Sequence, residues 1–428
     1  MVAQALWNIA SASLDAQALT GYKSPMRLLR IRDLRIVLLA YGLSSFGDYL
    51  ALIALTLRIK DLTESGLAVS GLLIAGLLPL VVLGPLAGHI VDRLEPVRVL
   101  TYGALAQAGL AFALVFAEPT WLIIALFFLL STGFALSQPG IFAMTPWIVG
   151  EERTTEANAY LEVSRWTGAT LGPIAAGVIT YTWGFDAALF LNAMTFLAVG
   201  VAMPLLRVRR PVEAARPATP QRARDGMVFV GRDPILRVVV VAITLMVVFS
   251  AIDNVAEVFF AKDVLEAGDL GYSGLVTAWT LGMVIGATGI GRRLRTERLA
   301  PAAVLAAVAG GGAIALAAGV PLLPLALAAF VIGGAANGVE LVGLRSLIHA
   351  RVPDHLRGRA FSAYYAAVNA AQITALGLGG ALVGAIGPRA SLLVGGVGTL
   401  LVGGVSYLLL LRARASVEEK GGYSTSVS

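Results

Sequence analysis

Two apolar stretches of the sequence carry acidic and polar residues at helical spacing. In each stretch the polar residues recur at intervals of three, four and seven, which places them on one face of a helix. The first set is Tyr41, Ser44, Ser45 and Asp48, and the second is Ser250, Asp253, Asn254 and Glu257. Carboxylates in such surroundings can take up and release protons or hold a cation, since an unpaired charge among apolar groups is costly.

Each acid has a structural alternative. Asp48 is either a protonatable carboxylate that carries a proton or a structural acid paired with a neighbouring helix. Asp253 and Glu257 lie four residues apart, and two nearby carboxylates disfavour joint ionisation, which suits proton uptake or a cationic substrate. Glu257 alternatively reaches water at the outer end of its helix.

Three further groups of polar residues fall in apolar segments. Glu340 follows Asn337 by one turn and precedes Arg345, so it forms an internal ion pair or couples to protons. Tyr365, Asn369 and Gln372 form another row, suited to hydrogen bonds with a substrate or to helix packing. The spacing of Glu162 and Arg165 predicts a pair with each other or with a cytoplasmic gate.

The composition places these residues in a membrane. The chain of 428 residues is 57% hydrophobic and 14% charged, with a mean hydropathy of +0.81, whereas roughly a quarter of residues are charged in soluble domains. Cys is absent and the three histidines are scattered, so we expect no disulfide, no metal site and no cofactor. The net charge of +6 indicates a cytoplasmic membrane face rather than nucleic acid binding.

Windows of about 20 apolar residues, enough to cross a bilayer core, predict an all-α membrane protein with twelve transmembrane helices. These spans lie near 34–57, 66–88, 99–117, 121–143, 158–182, 187–206, 236–260, 271–291, 300–319, 322–344, 361–386 and 390–411. With both termini inside, 27 of the 32 Lys and Arg residues are cytoplasmic and four are outside. The positive-inside rule therefore predicts the N-in/C-in orientation in the cell membrane.

The two halves of the sequence resemble each other at an offset of about 203 residues. Residues 70–72 recur as 273–275, Asp48 matches Asp253, and 148–160 aligns with 352–364. Chance similarity among helices rich in Ala, Gly and Leu is the alternative to a duplicated six-helix unit. The predicted parts are a cytoplasmic segment 1–33, a six-helix half 34–206, a linker 207–235 that ends in a short interfacial helix, a second half 236–411, and a tail 412–428.

Two motifs accompany this layout. The connection between spans 2 and 3 contains Gly88, Asp92, Arg93 and Arg98, and span 5 contains Gly168, Gly172, Pro173 and Gly177. On these residues the chain resembles the major facilitator superfamily, in the branch of enterobactin exporters and macrolide-efflux proteins. The resemblance implies a cytoplasmic gate at the first motif, an antiporter-like motif that bends span 5 at the second, and two six-helix pseudo-repeats.

The sequence departs from the family pattern in two places. Span 4 has no arginine for the proton relay found in many drug antiporters of the family, and Glu95-Pro96 replaces the usual Gly-Arg after the acid. The arginine relay is therefore not carried over, and the geometry of the gate turn is open.

The resemblance and the polar faces together predict a secondary active transporter. We expect proton-coupled efflux, by alternating access, of an amphipathic small molecule such as a drug, a macrolide or a siderophore. An importer or a lipid transporter on the same fold is the alternative, and a channel or an enzyme is disfavoured. The expected partners are the substrate, the proton and the lipid bilayer, and the expected state is a monomer.

Overall fold

The computed structural model describes the backbone of residues 25–209 and 223–424. It leaves out the side chains of 25–27, 84–93, 136, 223–226, 292 and 416–424. The predicted N-terminal segment up to residue 24, the part 210–222 of the predicted linker and the last four residues lie outside the described part.

The described backbone is helical almost throughout. The helices are α1 (Arg32–Thr63), α2 (Gly66–Arg93), α3 (Pro96–Val115), α4 (Thr120–Val149), α5 (Thr154–Ala202), α6 (Ala223–Arg232), α7 (Pro234–Ser250), α8 (Asp253–Phe259), α9 (Gly268–Gly289), α10 (Leu299–Gly319), α11 (Leu323–Arg351) and α12 (Asp354–Ser424). A single π-turn, Phe260–Val264, follows α8. The short helix predicted at the end of the linker is present as α6.

Ten helical stretches of the described chain are long and apolar enough to cross a membrane. Two of them, Glu151–Leu205 and Asp354–Ala415, have 55 and 62 residues, well over twice the roughly 20 that one crossing needs. Each contains one glycine with a non-helical backbone, Gly184 (φ 82°) and Gly387 (φ 79°), in the left-handed region that glycine tolerates. Both glycines fall between predicted spans, 5 and 6 in the first stretch and 11 and 12 in the second.

Local sequence explains where several helices begin. Ser65 caps α2 by accepting a hydrogen bond from the Ala68 amide, and Pro96 occupies the first turn of α3, where it needs no amide donor. Asp233 caps α7 by accepting hydrogen bonds from the amides of Ile235 and Leu236, at 3.0 and 2.8 Å. These caps satisfy amides that have no partner within their own helix.

Many large apolar side chains lie on the surface, as expected of a protein that faces lipid. Leu39 at the surface of α1 is 75% exposed. Three exposed aromatic residues lie at the ends of apolar segments, where amphipathic rings meet the membrane–water boundary. They are Trp121, Tyr181 and Trp183.

The chain divides into two compact units. The first comprises Met1–Thr219 with Ala261–Thr277, and the second comprises Pro220–Phe260 with Ala278–Ser428. In the first unit α1 packs on α5, α2 on α4, and α3 on both α4 and α5. In the second unit α7 packs on α12, and α10 on both α11 and α12. Three of the four pairings in the first unit, those of α1 and α3, thus have a counterpart in the second.

Candidate functional site

The polar face of α1 contacts two neighbouring helices of the first unit. Tyr41 is buried, and its hydroxyl accepts a hydrogen bond from Gln138 Nε2 on α4 at 3.2 Å. Ser45 is also buried and donates to the backbone carbonyl of Arg165 on α5 at 3.0 Å. The predicted polar face of span 1 is thus hydrogen-bonded to both α4 and α5. The sequence reasoning missed Gln138, whose only signal was an amide in an otherwise apolar helix.

Asp48 lies one turn further along the same face. Its Oδ2 atom is buried and has no hydrogen-bond partner among the described residues. A charged oxygen in this position is costly, so the site favours the neutral acid until a cation, water or donor reaches it. The Tyr41 hydroxyl lies within electrostatic range of Asp48, Glu162 and Arg165, which places these four groups in one cluster.

Arg165 is the basic member of this cluster. Its guanidinium pairs with Glu162, with Nη2 at 3.0 Å and Nε at 3.2 Å from the same carboxylate oxygen, and lies 4.3 Å from the centre of the Trp166 ring. The pairing within α5 is the first of the two alternatives that the sequence left open. The cluster around the Tyr41 hydroxyl therefore includes an arginine, supplied by α5 rather than by α4.

The glycines of the span 5 motif let α1 and α5 approach closely. A Cβ atom on Gly168 would lie 2.7 Å from the amide nitrogen of Phe46, and one on Gly172 would lie 2.8 Å from the carbonyl oxygen of the same residue. At the last glycine of the motif, Gly177, an added Cβ atom would lie 2.5 Å from the Ser273 side chain. Helical backbone angles continue through Pro173, and the bend at this motif stays a prediction.

Span 7 was predicted as one continuous helix, and the structure divides it. The break lies at residues 251–252, between α7 and α8. Asn254 explains it, because its side-chain amide donates to the Ala251 carbonyl at 3.2 Å and so satisfies a backbone group that the break frees. The same amide donates to Asp253 Oδ1 at 2.8 Å. Asp253 thus begins α8 with a neutral partner.

Glu257 lies one turn beyond Asp253 and is buried, with 8% of the residue exposed. The alternative in which it simply reaches water is therefore wrong. Its Oε1 atom has no hydrogen-bond partner in the described part of the chain. Asp253 is close enough to act on Glu257 electrostatically. The two acids of this region have one side-chain hydrogen-bond partner among the described residues, the amide of Asn254.

Glu340 lines a small polar cavity in the second unit. The cavity has a volume of about 50 Å³, with room for one or two waters at about 30 Å³ each. The other lining residues with polar side-chain atoms are Ser250, Trp279, Asn337 and Thr399. Asn337 Nδ2 donates to Glu340 Oε2 at 3.4 Å, whereas Arg345 is exposed. Among the described ion pairs there is none between Glu340 and Arg345, so the interpretation as an internal pair is not supported.

The predicted row on span 11 lies on α12. Asn369 and Gln372 are half-buried and Tyr365 is 37% exposed. The Tyr365 ring stacks on Phe361 with the ring centres 6.3 Å apart. The structure thus leaves the two amides accessible without assigning them a partner in the described residues.

The gate motif is described only in part. The side chains of Gly88, Asp92 and Arg93 lie outside the described ones, although the backbone is helical to Arg93. Arg98 pairs with Glu95 at 2.7 Å, and Arg209 approaches the same carboxylate at 3.3 Å. The acid at the position that departs from the family pattern therefore ties this connection to the end of α5, a contact that the sequence reasoning missed.

A second group of ion pairs, also missed, joins the end of α1 to the π-turn after α8. Lys60 Nζ lies 2.6 Å from Asp263, while Lys262 Nζ lies 2.7 Å from Asp61 and 2.8 Å from Asp269. All five residues belong to the first unit. The available signal was the repeated dipeptide Lys-Asp at 60–61 and 262–263.

Comparison with known proteins gives the family context. The family model described as Major Facilitator Superfamily matches residues 37–336 and 295–425. Among solved structures, the nucleoside transporter NupG superposes with a TM-score of 0.67 at 13% identity, covering 89% of this chain and 98% of that one. The arrangement of helices is thus that of this transporter fold.

Three curated relatives have names that refer to transport. The uncharacterized MFS-type transporter YfiS of Bacillus subtilis (strain 168) is 26% identical over 383 residues, covering 85% of this chain and 90% of the relative. The multidrug efflux pump Tap of Mycolicibacterium fortuitum is 26% identical and covers 84% and 91%. Macrolide efflux protein A of Streptococcus pyogenes is 24% identical over a shorter match of 40% and 44%. These relatives confirm the predicted resemblance to the efflux-like branch.

Proposed function

Because the chain belongs to the Major Facilitator Superfamily and is a multi-pass membrane protein, we propose that it exports an amphipathic small molecule in exchange for protons. The efflux relatives support the direction, and the polar faces of α1 and of α7–α8 support the coupling. We propose twelve crossings, counting the stretches that Gly184 and Gly387 interrupt as two each. Both termini then lie in the cytoplasm, and the halves 34–206 and 236–411 alternate access.

The observation that carries the proposal is a pair of buried carboxylate oxygens. Asp48 Oδ2 in span 1 and Glu257 Oε1 in span 7 both lack a hydrogen-bond partner in the described part of the chain. Spans 1 and 7 are equivalent in the two repeats. Ionisable groups inside a membrane protein most often mark ion and substrate pathways, and an unpartnered acid can change its protonation state without breaking an existing contact.

The mechanism follows from this property. Protons that enter from outside neutralise Asp48 and Glu257, and their release to the cytoplasm leaves charges that a cationic or polar substrate group can compensate. Substrate and proton therefore compete for the same acids, which is the requirement for exchange.

Transport driven by an imposed pH gradient tests this function. Vesicles containing the native chain, Asp48→Asn or Asp253→Asn are given a panel of fluorescent amphipathic compounds, and accumulation is followed with and without the gradient. Asp186→Asn is a matched control, since its side chain is 69% exposed and lies 3.5 Å from Arg58. We expect gradient-driven transport by the native chain and the control and a loss in the other two. Unchanged transport in both Asp48→Asn and Asp253→Asn contradicts the proton role.

Import, or movement of a lipid, is the second candidate on this fold. The same vesicles in the opposite orientation distinguish the direction, because an exporter moves the compound away from its cytoplasmic face. A labelled lysophospholipid added to the panel tests the lipid variant. Movement of that lipid in preference to the drugs would replace the proposed substrate class.

A further inference from the structure

An apolar groove runs along the surface of the second unit, between α7 and the last part of α12. Its volume is about 830 Å³. The lining is almost entirely aliphatic, apart from two arginines and one serine. It comprises Pro234, Arg237, Val238, Val241, Ala242, Leu245, Leu401, Val402, Val405, Ser406, Leu409, Arg412 and Ala413. None of the acids assigned to transport lines it, so the groove is a separate site.

The length of the groove matches one leaflet of a bilayer. Its lining spans twelve residues of α7 (234–245) and thirteen of α12 (401–413), which at a rise of 1.5 Å per residue corresponds to about 17–19 Å. The hydrocarbon core of a bilayer is about 30 Å thick. A groove that begins at the membrane surface therefore extends to about the depth of one acyl chain.

Both cations of the groove lie at the same end. Arg237 belongs to the first turn of α7 and Arg412 to the far part of α12. On each helix, the arginine lies at the end of the groove that is nearest the aqueous boundary. Both residues are exposed, and neither forms an ion pair with another described residue. Two free guanidinium groups at headgroup depth are suited to bind phosphate, which arginine holds with paired hydrogen bonds.

We propose that this groove binds one anionic phospholipid, with its phosphate between Arg237 and Arg412 and an acyl chain along α7 and α12. The positive charge of the two arginines selects an anionic headgroup, and the aliphatic lining of the groove favours a lipid with an acyl chain. In the proposed orientation the arginines face the cytoplasm, so the lipid comes from the inner leaflet, where basic pockets between helices hold anionic headgroups.

Native mass spectrometry of the full chain in detergent tests the headgroup. Phosphatidylglycerol and phosphatidylethanolamine are added at equal concentration, and lipid-bound protein is counted. We expect about a tenfold preference for phosphatidylglycerol, since each arginine near the surface attracts anionic lipid. The preference should disappear in Arg237→Gln/Arg412→Gln and remain in the control Arg295→Gln, which removes an exposed arginine elsewhere. Equal binding of both lipids to the native chain overturns the proposal.

A second pair of variants tests the chain. Val405→Trp fills the groove, whereas Leu408→Trp changes a neighbouring residue of α12 that is 61% exposed and does not line it. We expect Val405→Trp alone to lose bound phosphatidylglycerol. Glycerol 1-phosphate, which has the phosphate without acyl chains, should not displace the lipid. Displacement by it, or equal binding in the two tryptophan variants, overturns the acyl-chain assignment.

Discussion

The acids of spans 1 and 7 have different surroundings. Asp48 lies on an unbroken helix whose polar face is held by hydrogen bonds to α4 and α5, and an arginine lies in the same cluster. Asp253 and Glu257 lie beyond a break in the helix, with Asn254 as the only recorded side-chain partner among the described residues. We therefore expect the two sites to contribute differently to transport.

The largest difference is expected on removing the acid of span 1. Asp48→Asn leaves the polar face of α1 without a carboxylate, while Arg165 keeps its pair with Glu162. We expect gradient-driven transport to be abolished while substrate binding persists, measured by equilibrium binding of a fluorescent substrate. Asp186→Asn is again the control. Coupled transport at the native rate in Asp48→Asn would remove the distinction between the two sites.

A smaller loss is expected in span 7, because one acid remains when the other is changed. Glu257→Gln and Asp253→Asn should each slow transport by about tenfold, equivalent to about 1.4 kcal/mol. Substrate affinity should fall more in Glu257→Gln than in Asp253→Asn. Asp253 already accepts a hydrogen bond from Asn254, whereas Glu257 Oε1 has no partner among the described residues and is free to bind substrate. Equal effects on affinity in the two variants would show that the local partner does not matter.

Packing provides a third comparison between the repeats. A Cβ atom on Gly172 would meet α1 at 2.7 and 2.8 Å, whereas one on Gly379 would meet Ile252 and Val255 at 3.2 and 3.3 Å. Gly172→Ala should therefore lower the thermal midpoint in detergent through overpacking of about 1–3 kcal/mol, and Gly379→Ala should lower it less. Gly109→Ala is the control, since nothing lies within 4 Å of that position. A larger loss in Gly379→Ala would contradict this ranking.

The smallest effect is expected at the link between α1 and α4. Gln138→Leu removes one hydrogen bond to Tyr41 and should cost about 1 kcal/mol together with a modest loss of transport. Gln107→Leu also removes a hydrogen bond to α4, from Gln107 Nε2 to the Leu130 carbonyl, but away from the acid cluster. It should destabilise the chain similarly and leave transport unchanged. Identical transport in the two variants would make the Tyr41 contact purely structural.

Much of this layout could be predicted from the sequence. Apolar windows long enough to cross a bilayer predicted the spans. The structure has non-helical backbone at Gly184 and Gly387, which lie between predicted spans. Helical spacing put Tyr41, Ser45 and Asp48 on one face, and the structure brings that face against two helices. These features depend on residues that are near one another in the chain, and the spacing of residues in the sequence indicates such local features.

Other features depend on which helices pack against each other, and the spacing of residues along the sequence does not indicate that. Gln138 on α4 and Arg209 after α5 contribute through contacts across 97 and 114 residues of sequence. The break in span 7 arises because Asn254 competes for a backbone carbonyl, and the burial of Glu257 depends on the helices around it. The Lys-Asp pairs were visible only as a repeated dipeptide, whose meaning came from the fold.

Proton release on substrate addition to the purified chain tests the central claim most directly. A weakly buffered sample with a pH indicator reports protons displaced when an amphipathic substrate binds. We predict full release by the native chain and by Asp186→Asn, and a partial release by Glu257→Gln and by Asp48→Asn, which still binds substrate. Full release by Asp48→Asn would contradict the assignment of the proton to span 1.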